Sequence, residues 1–242
     1  MIDHYNKPEI SIVILCYKAG KSISHFIKQI ETELKLGNIN DYELVLVANY
    51  HDKRFDNTPE IVKELEDSNP RITSVTLEKK GMLGWDVRKG MIAANGDSIA
   101  LIDGDGQMPP KDIVRSYNVI KSGEFDFIKT YRIIRYDGFY RKISSIVFNL
   151  IFKILFPGSP YRDINSKPKI WTREAVKKMD LECDGWFIDG EMILEANFHQ
   201  FTFAEIPSEF YKNEWRGSFV KTQTIFEMVF MMIYYRIKYW FK

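Results

Sequence analysis

Four short runs rich in β-branched residues, alternating with segments of helical periodicity, constrain this chain more than any other feature. Glu9–Tyr17 (EISIVILCY), Tyr42–Ala48 (YELVLVA) and Ser98–Ile102 are too short for helices and too apolar to keep one face wet, so they read as buried strands. Ile72–Leu77 (ITSVTL) supplies another strand. Between them, Ser22–Leu36 places Ile23, Phe26, Ile27, Ile30 and Leu34 on one helical face. Thr58-Pro59-Glu60 opens a second helix, with Thr58 as N-cap and proline at the first position, and that helix stops before Asn69-Pro70. Gly84–Asn95 forms a third, closed by Gly96. Strand–helix alternation over the first ~110 residues predicts an α/β fold: a mostly parallel sheet with right-handed crossovers, flanked by helices. In such sheets ligands collect at the carboxyl ends of the strands.

The 242 residues suffice for one substantial core, and 45% hydrophobic with 28% charged residues excludes a disordered chain. We expect a single domain over 1–242, divided into a regular half (1–110) and an aromatic-rich half (111–242) with amphipathic helices near 140–156 and 222–241. The net charge of +1 argues against a nucleic-acid partner. Cations cluster locally, however. Lys129–Phe156 carries six basic residues against Asp137, and Lys212–Lys242 carries six against Glu214 and Glu227. Such clusters beside apolar segments suit an anionic membrane surface or a phosphate ligand. Two cysteines, Cys16 and Cys183, point to a reducing compartment. Met1–Pro8 is polar, and Ile146–Phe156 and Met228–Tyr235 fall short of the ~20 apolar residues of a spanning helix. The expected location is cytoplasmic, peripheral on the inner face of a membrane.

The most chemically informative stretch is Ser98-Ile-Ala-Leu-Ile-Asp-Gly-Asp-Gly-Gln107. A buried strand runs into two carboxylates one residue apart, then an amide. Alternate residues of an extended segment point the same way, so Asp103, Asp105 and Gln107 can converge on one cation. Hard oxygen donors of this kind suit Mg²⁺ or Mn²⁺, which would bridge a diphosphate.

With these motifs the chain resembles family 2 glycosyltransferases of the GT-A fold, and within them the polyprenol- or dolichyl-phosphate sugar synthases. Asp103-Gly-Asp-Gly-Gln107 matches that subgroup's Asp-x-Asp-x-Gln metal motif. The run Lys80–Gly90, followed by Ala94-Asn-Gly-Asp97, is similar to the family's Gly-rich helix entry and strand lead. The resemblance implies a UDP- or GDP-sugar donor, with Tyr17 beside the nucleoside and Asp103 and Asp105 at the metal. Where the family usually ends its second strand in two aspartates, one on the nucleobase, this chain has Val47-Ala-Asn49-Tyr-His-Asp52, leaving Asn49 to bond a base edge.

On the acceptor side, Arg141, Ser145, Asn149 and Lys153 recur every four residues on an otherwise apolar helix, which fits either core packing or a membrane interface. The resemblance implies that Arg132, Arg141 and Ser145 hold the phosphate of a polyprenyl-phosphate acceptor. It also implies that Arg162–Lys169 closes around donor and acceptor, and that Arg216, in Trp215-Arg-Gly-Ser218, contacts the departing diphosphate. Asp189, at a helix start, would be the base for a saccharide hydroxyl acceptor, or a positioning group where the acceptor is an ionised phosphate. A single displacement predicts inversion at the anomeric carbon. A non-catalytic nucleotide-sugar- or membrane-binding module is the rival from another class.

Overall fold

In a computed structural model describing residues 7–136, 138–213 and 222–240, the alternation becomes one seven-stranded sheet. The elements run β1 (Ile10–Leu15), α1 (Ser22–Leu36), β2 (Tyr42–Val47), α2 (Thr58–Ser68), β3 (Ile72–Val75), α3 (Leu83–Ala93), β4 (Ser98–Asp103), α4 (Lys111–Ile120), β5 (Phe127–Arg135), α5 (Phe139–Leu155), β6 (Lys169–Thr172), α6 (Arg173–Lys178), α7 (Ile188–Phe198), β7 (Phe203–Phe210) and α8 (Thr222–Trp240). Strand order is β3-β2-β1-β4-β6-β5-β7. The first four strands pair in parallel, as do β5 and β7, while β6 is antiparallel to both its neighbours. Strands from both halves of the chain therefore share one sheet.

Helices cover both faces, which is why the early strands show no polar alternation. Ile10, Ile12 and Ile14 of β1 pack toward α1 and α4, with Phe26, Ile30, Ile113 and Tyr117. Val13 and Leu15 pack on the opposite face, in a cluster that includes Val87 of α3, Phe152 of α5, Met192 of α7 and Tyr235 of α8. Every residue of β1 is buried, and each large aliphatic side chain there contributes about 1.5–3 kcal/mol by leaving water. Helix α3 lies unusually close to the sheet. A Cβ on Gly90 would stand 2.4 Å from Val13 Cγ1 and 2.7 Å from Val47 Cγ2, so a hydrogen at this position lets the helix seat.

Two sequence expectations shift slightly. Asn57 rather than Thr58 is the N-cap of α2, with Pro59 inside the first turn. The Thr58 side chain is instead buried, accepting from the Gly20 amide at 2.9 Å and donating to Asp56 Oδ1 at 2.5 Å, which ties α2 to the loop after β1. Strand β3 ends at Val75, because the Leu77 amide turns inward to the Asn49 side chain.

Candidate active site

The carboxyl ends of β1, β2, β4 and β5 meet along one edge, and because β6 runs backwards its beginning meets that edge too. Asp103 closes β4 in register with Leu15. The Gly104 amide continues the pairing to the Leu15 carbonyl at 2.9 Å, and Gly106 turns the chain with φ +70°. The Gln107 amide donates to Asp105 Oδ1 at 3.1 Å, fixing that carboxylate in the turn. Gln107 is buried; its Nε2 donates to the Tyr211 carbonyl at 2.8 Å, and the Tyr211 amide returns a bond to its carbonyl. The side-chain amide thus pins the chain leaving β7. Asp105 also borders a cavity of about 270 Å³ lined by Ser22, His25 and Gln29 of α1 and by Lys212. Among the described residues no three His, Cys, Asp or Glu side chains gather as a metal cage. Two carboxylates and an amide oxygen nevertheless fit an Mg²⁺-type ion, which commonly takes one or two protein carboxylates and completes its shell from substrate phosphate and water.

Beside Asp103 lies a group that sequence reasoning passed over within the Arg162–Lys169 segment. Lys167 and Lys169 are buried, and both reach Asp189 in the first turn of α7. Lys167 Nζ is 3.0 Å from Asp189 Oδ2 and 3.4 Å from Asp103 Oδ1, while Lys169 Nζ bonds Asp189 Oδ1. Burial would raise the Asp189 carboxyl, but the two ammonium groups outweigh it and hold it below the ordinary carboxylate value. Burial works to lower Lys167, yet Asp103 and Asp189 hold it above the usual lysine range. Lys169 shares a single carboxylate, and burial lowers it to about 8. Lys-Pro-Lys reads as a solvated loop in one dimension. No spacing signals the pairing, since Lys167 lies in a bend before β6 begins at Lys169.

The expected acceptor residues come together in part. Arg132 stands at the point where the β5–β7 register shifts. Its Nε and terminal nitrogen bind both oxygens of Asp163 at 2.6 and 2.8 Å, and the terminal nitrogen also donates to Ser145 Oγ at 3.3 Å. Burial pushes the Asp163 carboxyl up, but the Arg132 guanidinium outweighs it, and Asp163 sits far below the carboxylate range. Asn149 accepts from the Ile164 amide at 3.0 Å, fastening α5 to the Asp163 loop. Arg141, half-buried, lies one turn before Ser145 on the same stripe of α5. Beneath this seat, Lys129 is fully buried against Glu205 at 3.0 Å and the carbonyls of Thr130 and Asp163.

Beyond the ends of β1 and β2, Tyr17 meets His51 edge to face with centroids 6.0 Å apart, and Lys79 Nζ lies 4.6 Å above the Tyr17 ring. Asn49 is fully buried, and its amide is committed inside the fold: Nδ2 donates to Asp86 at 2.9 Å, and Oδ1 accepts from the Leu77 amide at 2.8 Å. Lys79 pairs with Asp86 in the same buried group, where burial nonetheless raises the Asp86 carboxyl. Asn49 braces the end of β2 through these contacts. Arg216 and the Trp215–Ser218 motif lie outside the described residues.

Helices α5 and α8 pack against one another. Phe139, Ile143, Ile146, Leu150 and Ile154 form an exposed stripe on α5, and Phe226, Phe230, Ile233 and Ile237 form one on α8. Lys142 and Lys153 are exposed along the border between the α5 apolar stripe and its polar one. Tyr235 and Tyr239 fasten α8 to α7 through Glu191 and Glu195. No helix among the described residues is long and apolar enough to cross a membrane.

This arrangement, a mixed sheet with an acidic pair at the end of β4 and one reversed strand beside it, is the GT-A fold. It superposes on glucosyl-3-phosphoglycerate synthase from Mycobacterium tuberculosis, a structure containing Mn²⁺, UDP and phosphoglyceric acid, with a TM-score of 0.70 at 15% identity over 95% of this chain and 78% of that one. It also superposes on the mannosyltransferase PcManGT from Pyrobaculum calidifontis with GDP-Man and Mn²⁺, with a TM-score of 0.61 at 13% identity over 88% of this chain and 59% of that one. The chain belongs to glycosyl transferase family 2, whose model matches residues 11–182. Among curated relatives, glycosyltransferase AglD of Haloferax volcanii is 27% identical over 82% of this chain and 32% of its own length. The undecaprenyl-phosphate 4-deoxy-4-formamido-L-arabinose transferase of Yersinia pestis is 28% identical over 74% of this chain and 53% of its own length. The chain thus spans about a third of the first relative and half of the second.

Proposed function

We propose that this single GT-A domain transfers a hexose from a UDP- or GDP-sugar to a polyprenyl phosphate, with inversion, at the cytoplasmic face of a membrane. The observation that carries the reading is the Arg132–Ser145 seat, held by Asp163, at the edge of the exposed apolar face of α5. In this reading an anionic headgroup meets half-buried Arg141 and Ser145, with the Arg132 guanidinium directly behind Ser145, while its hydrocarbon lies along that face beside exposed Lys142 and Lys153. The relatives support it, since one acts on undecaprenyl phosphate by name, and so do the nucleotide and Mn²⁺ in the structural neighbours.

In this reading Arg132, Arg141 and Ser145 hold the acceptor phosphate so that one oxygen faces the anomeric carbon. That oxygen forms the new bond as the bond to the diphosphate breaks on the opposite side. Asp103, Asp105 and the Gln107 oxygen would hold Mg²⁺ or Mn²⁺, whose role is to neutralise charge on the departing diphosphate. Tyr17, with His51, lies beside the base; Arg216 serves the diphosphate by family resemblance. A phosphate acceptor is already ionised and needs no base, which agrees with an Asp189 carboxylate engaged by two lysines. A saccharide hydroxyl acceptor would require Asp189 to take a proton, and those two ammonium groups disfavour it.

The test is sugar transfer from UDP- and GDP-hexoses to a short-chain polyprenyl phosphate in detergent with Mn²⁺. Asp105→Asn and Arg132→Met should each lose transfer by about 100-fold or more. Transfer to a saccharide hydroxyl with indifference to the lipid, or full activity in Asp105→Asn, would overturn the assignment.

A further inference from the structure

Asp103 differs from an ordinary metal-binding carboxylate in already having a cation beside it. Lys167 is 3% exposed, and its Nζ bridges Asp103 Oδ1 at 3.4 Å and Asp189 Oδ2 at 3.0 Å. Lys169, completely buried, occupies the other Asp189 oxygen, so neither ammonium can swing away into water. At the end of β4, Asp103 and Asp189 thus face two ammonium groups, so the charges of these four side chains cancel. That is little to attract a divalent cation. Once a diphosphate joins, the same fixed positive charge becomes favourable.

We propose that Lys167 is a positioning residue that makes uptake of the divalent cation conditional on the diphosphate, by neutralising Asp103 in the empty site and adding its charge to the filled one. The inference rests on the donor and metal reading given above. Because Lys167 is anchored by Asp189, its contribution is preorganised and costs no rearrangement at the moment of binding. A lysine serving only to support the fold would weaken both ligands when removed. Lys167 acts on them with opposite signs.

Calorimetric titration separates the two cases. Mn²⁺ alone is titrated into the protein and into Lys167→Met, and then UDP and GDP are each titrated at saturating Mn²⁺. Lys167→Met should bind Mn²⁺ alone about tenfold more tightly, and UDP or GDP with Mn²⁺ about tenfold more weakly, as expected for a unit charge at this range. Lys167→Arg, which keeps the charge, should stay within about threefold on both counts. Affinities that fall together in Lys167→Met, or that do not move, overturn the proposal. Should Lys167→Met fail to fold, Asp189→Asn carries the test with the reverse sign. There Lys167 is left to Asp103, and Mn²⁺ alone should bind about tenfold more weakly; unchanged or tighter Mn²⁺ binding refutes it. If the unaltered protein takes up neither nucleotide with Mn²⁺, the donor reading has failed and the inference falls with it, a result distinct from any lysine variant's.

Discussion

Asp163→Asn isolates the carboxylate that aims Arg132. Both partners are nearly inaccessible, with side chains 8% and 11% exposed, and the guanidinium uses two nitrogens on two oxygens. Asparagine keeps the shape and one acceptor oxygen. The loss is therefore one charge-assisted hydrogen bond and the compensation of a buried guanidinium, together about 3 kcal/mol. For a chain this long, with a urea m-value near 3 kcal/mol/M, the unfolding midpoint should fall by about 1 M. Tryptophan fluorescence in urea at pH 7 measures this directly. The pH dependence adds a second check. Asp163 is held far below its unfolded value near 3.9, so its contribution is complete above that value and is lost as pH falls toward the folded one. The gap between parent and variant should stay constant from about pH 8 to 5 and narrow below about pH 4. In the double variant Arg132→Met/Asp163→Asn the two losses should fall well short of adding. A midpoint shift under about 0.3 M, or a gap that widens in acid, would refute the reasoning.

Three further outcomes follow from the same geometry. Asp189 is held below the ordinary carboxylate value by Lys167 and Lys169, so kcat for transfer to a lipid phosphate should show an acidic limb only where the acceptor takes up its second proton, near about pH 6, and Asp189→Asn should keep that limb; its loss in the variant would restore Asp189 as a base. Gly90→Val would drive side-chain atoms into Val13 and Val47 and should destabilise by about 3 kcal/mol, read as a lower thermal midpoint; an unchanged midpoint would mean that α3 does not seat as described. Ile146→Glu with Leu150→Glu, both 57% exposed, should leave stability within about 0.5 kcal/mol but abolish cosedimentation with vesicles containing phosphatidylglycerol. Retained vesicle binding would remove the membrane from the proposal.

The strand–helix alternation was legible because each of its signals is local. A run such as Ile10–Leu15 can be satisfied only by burial on both faces, and the stripe Ile23, Phe26, Ile27, Ile30, Leu34 belongs to a helix whatever lies beneath it. The acidic motif at Asp103–Gln107 was legible for the same reason, since its place after an apolar strand puts it at a sheet edge. Arg132 and Ser145 could be named from the motif, though their union depends on Asp163, which no spacing reveals. The tertiary structure alone decided the surroundings of Asn49 and Lys167. Asn49 looks available in sequence, but its amide is committed to Leu77 and Asp86, two segments brought beside it by crossovers. Lys167 lies next to Asp103 because β6 inserts antiparallel between β4 and β5, so that a chain segment more than sixty residues away begins where β4 ends. Hydrophobic period is written along the chain, whereas the pairing of buried charges depends on strand order and direction, which no single segment encodes.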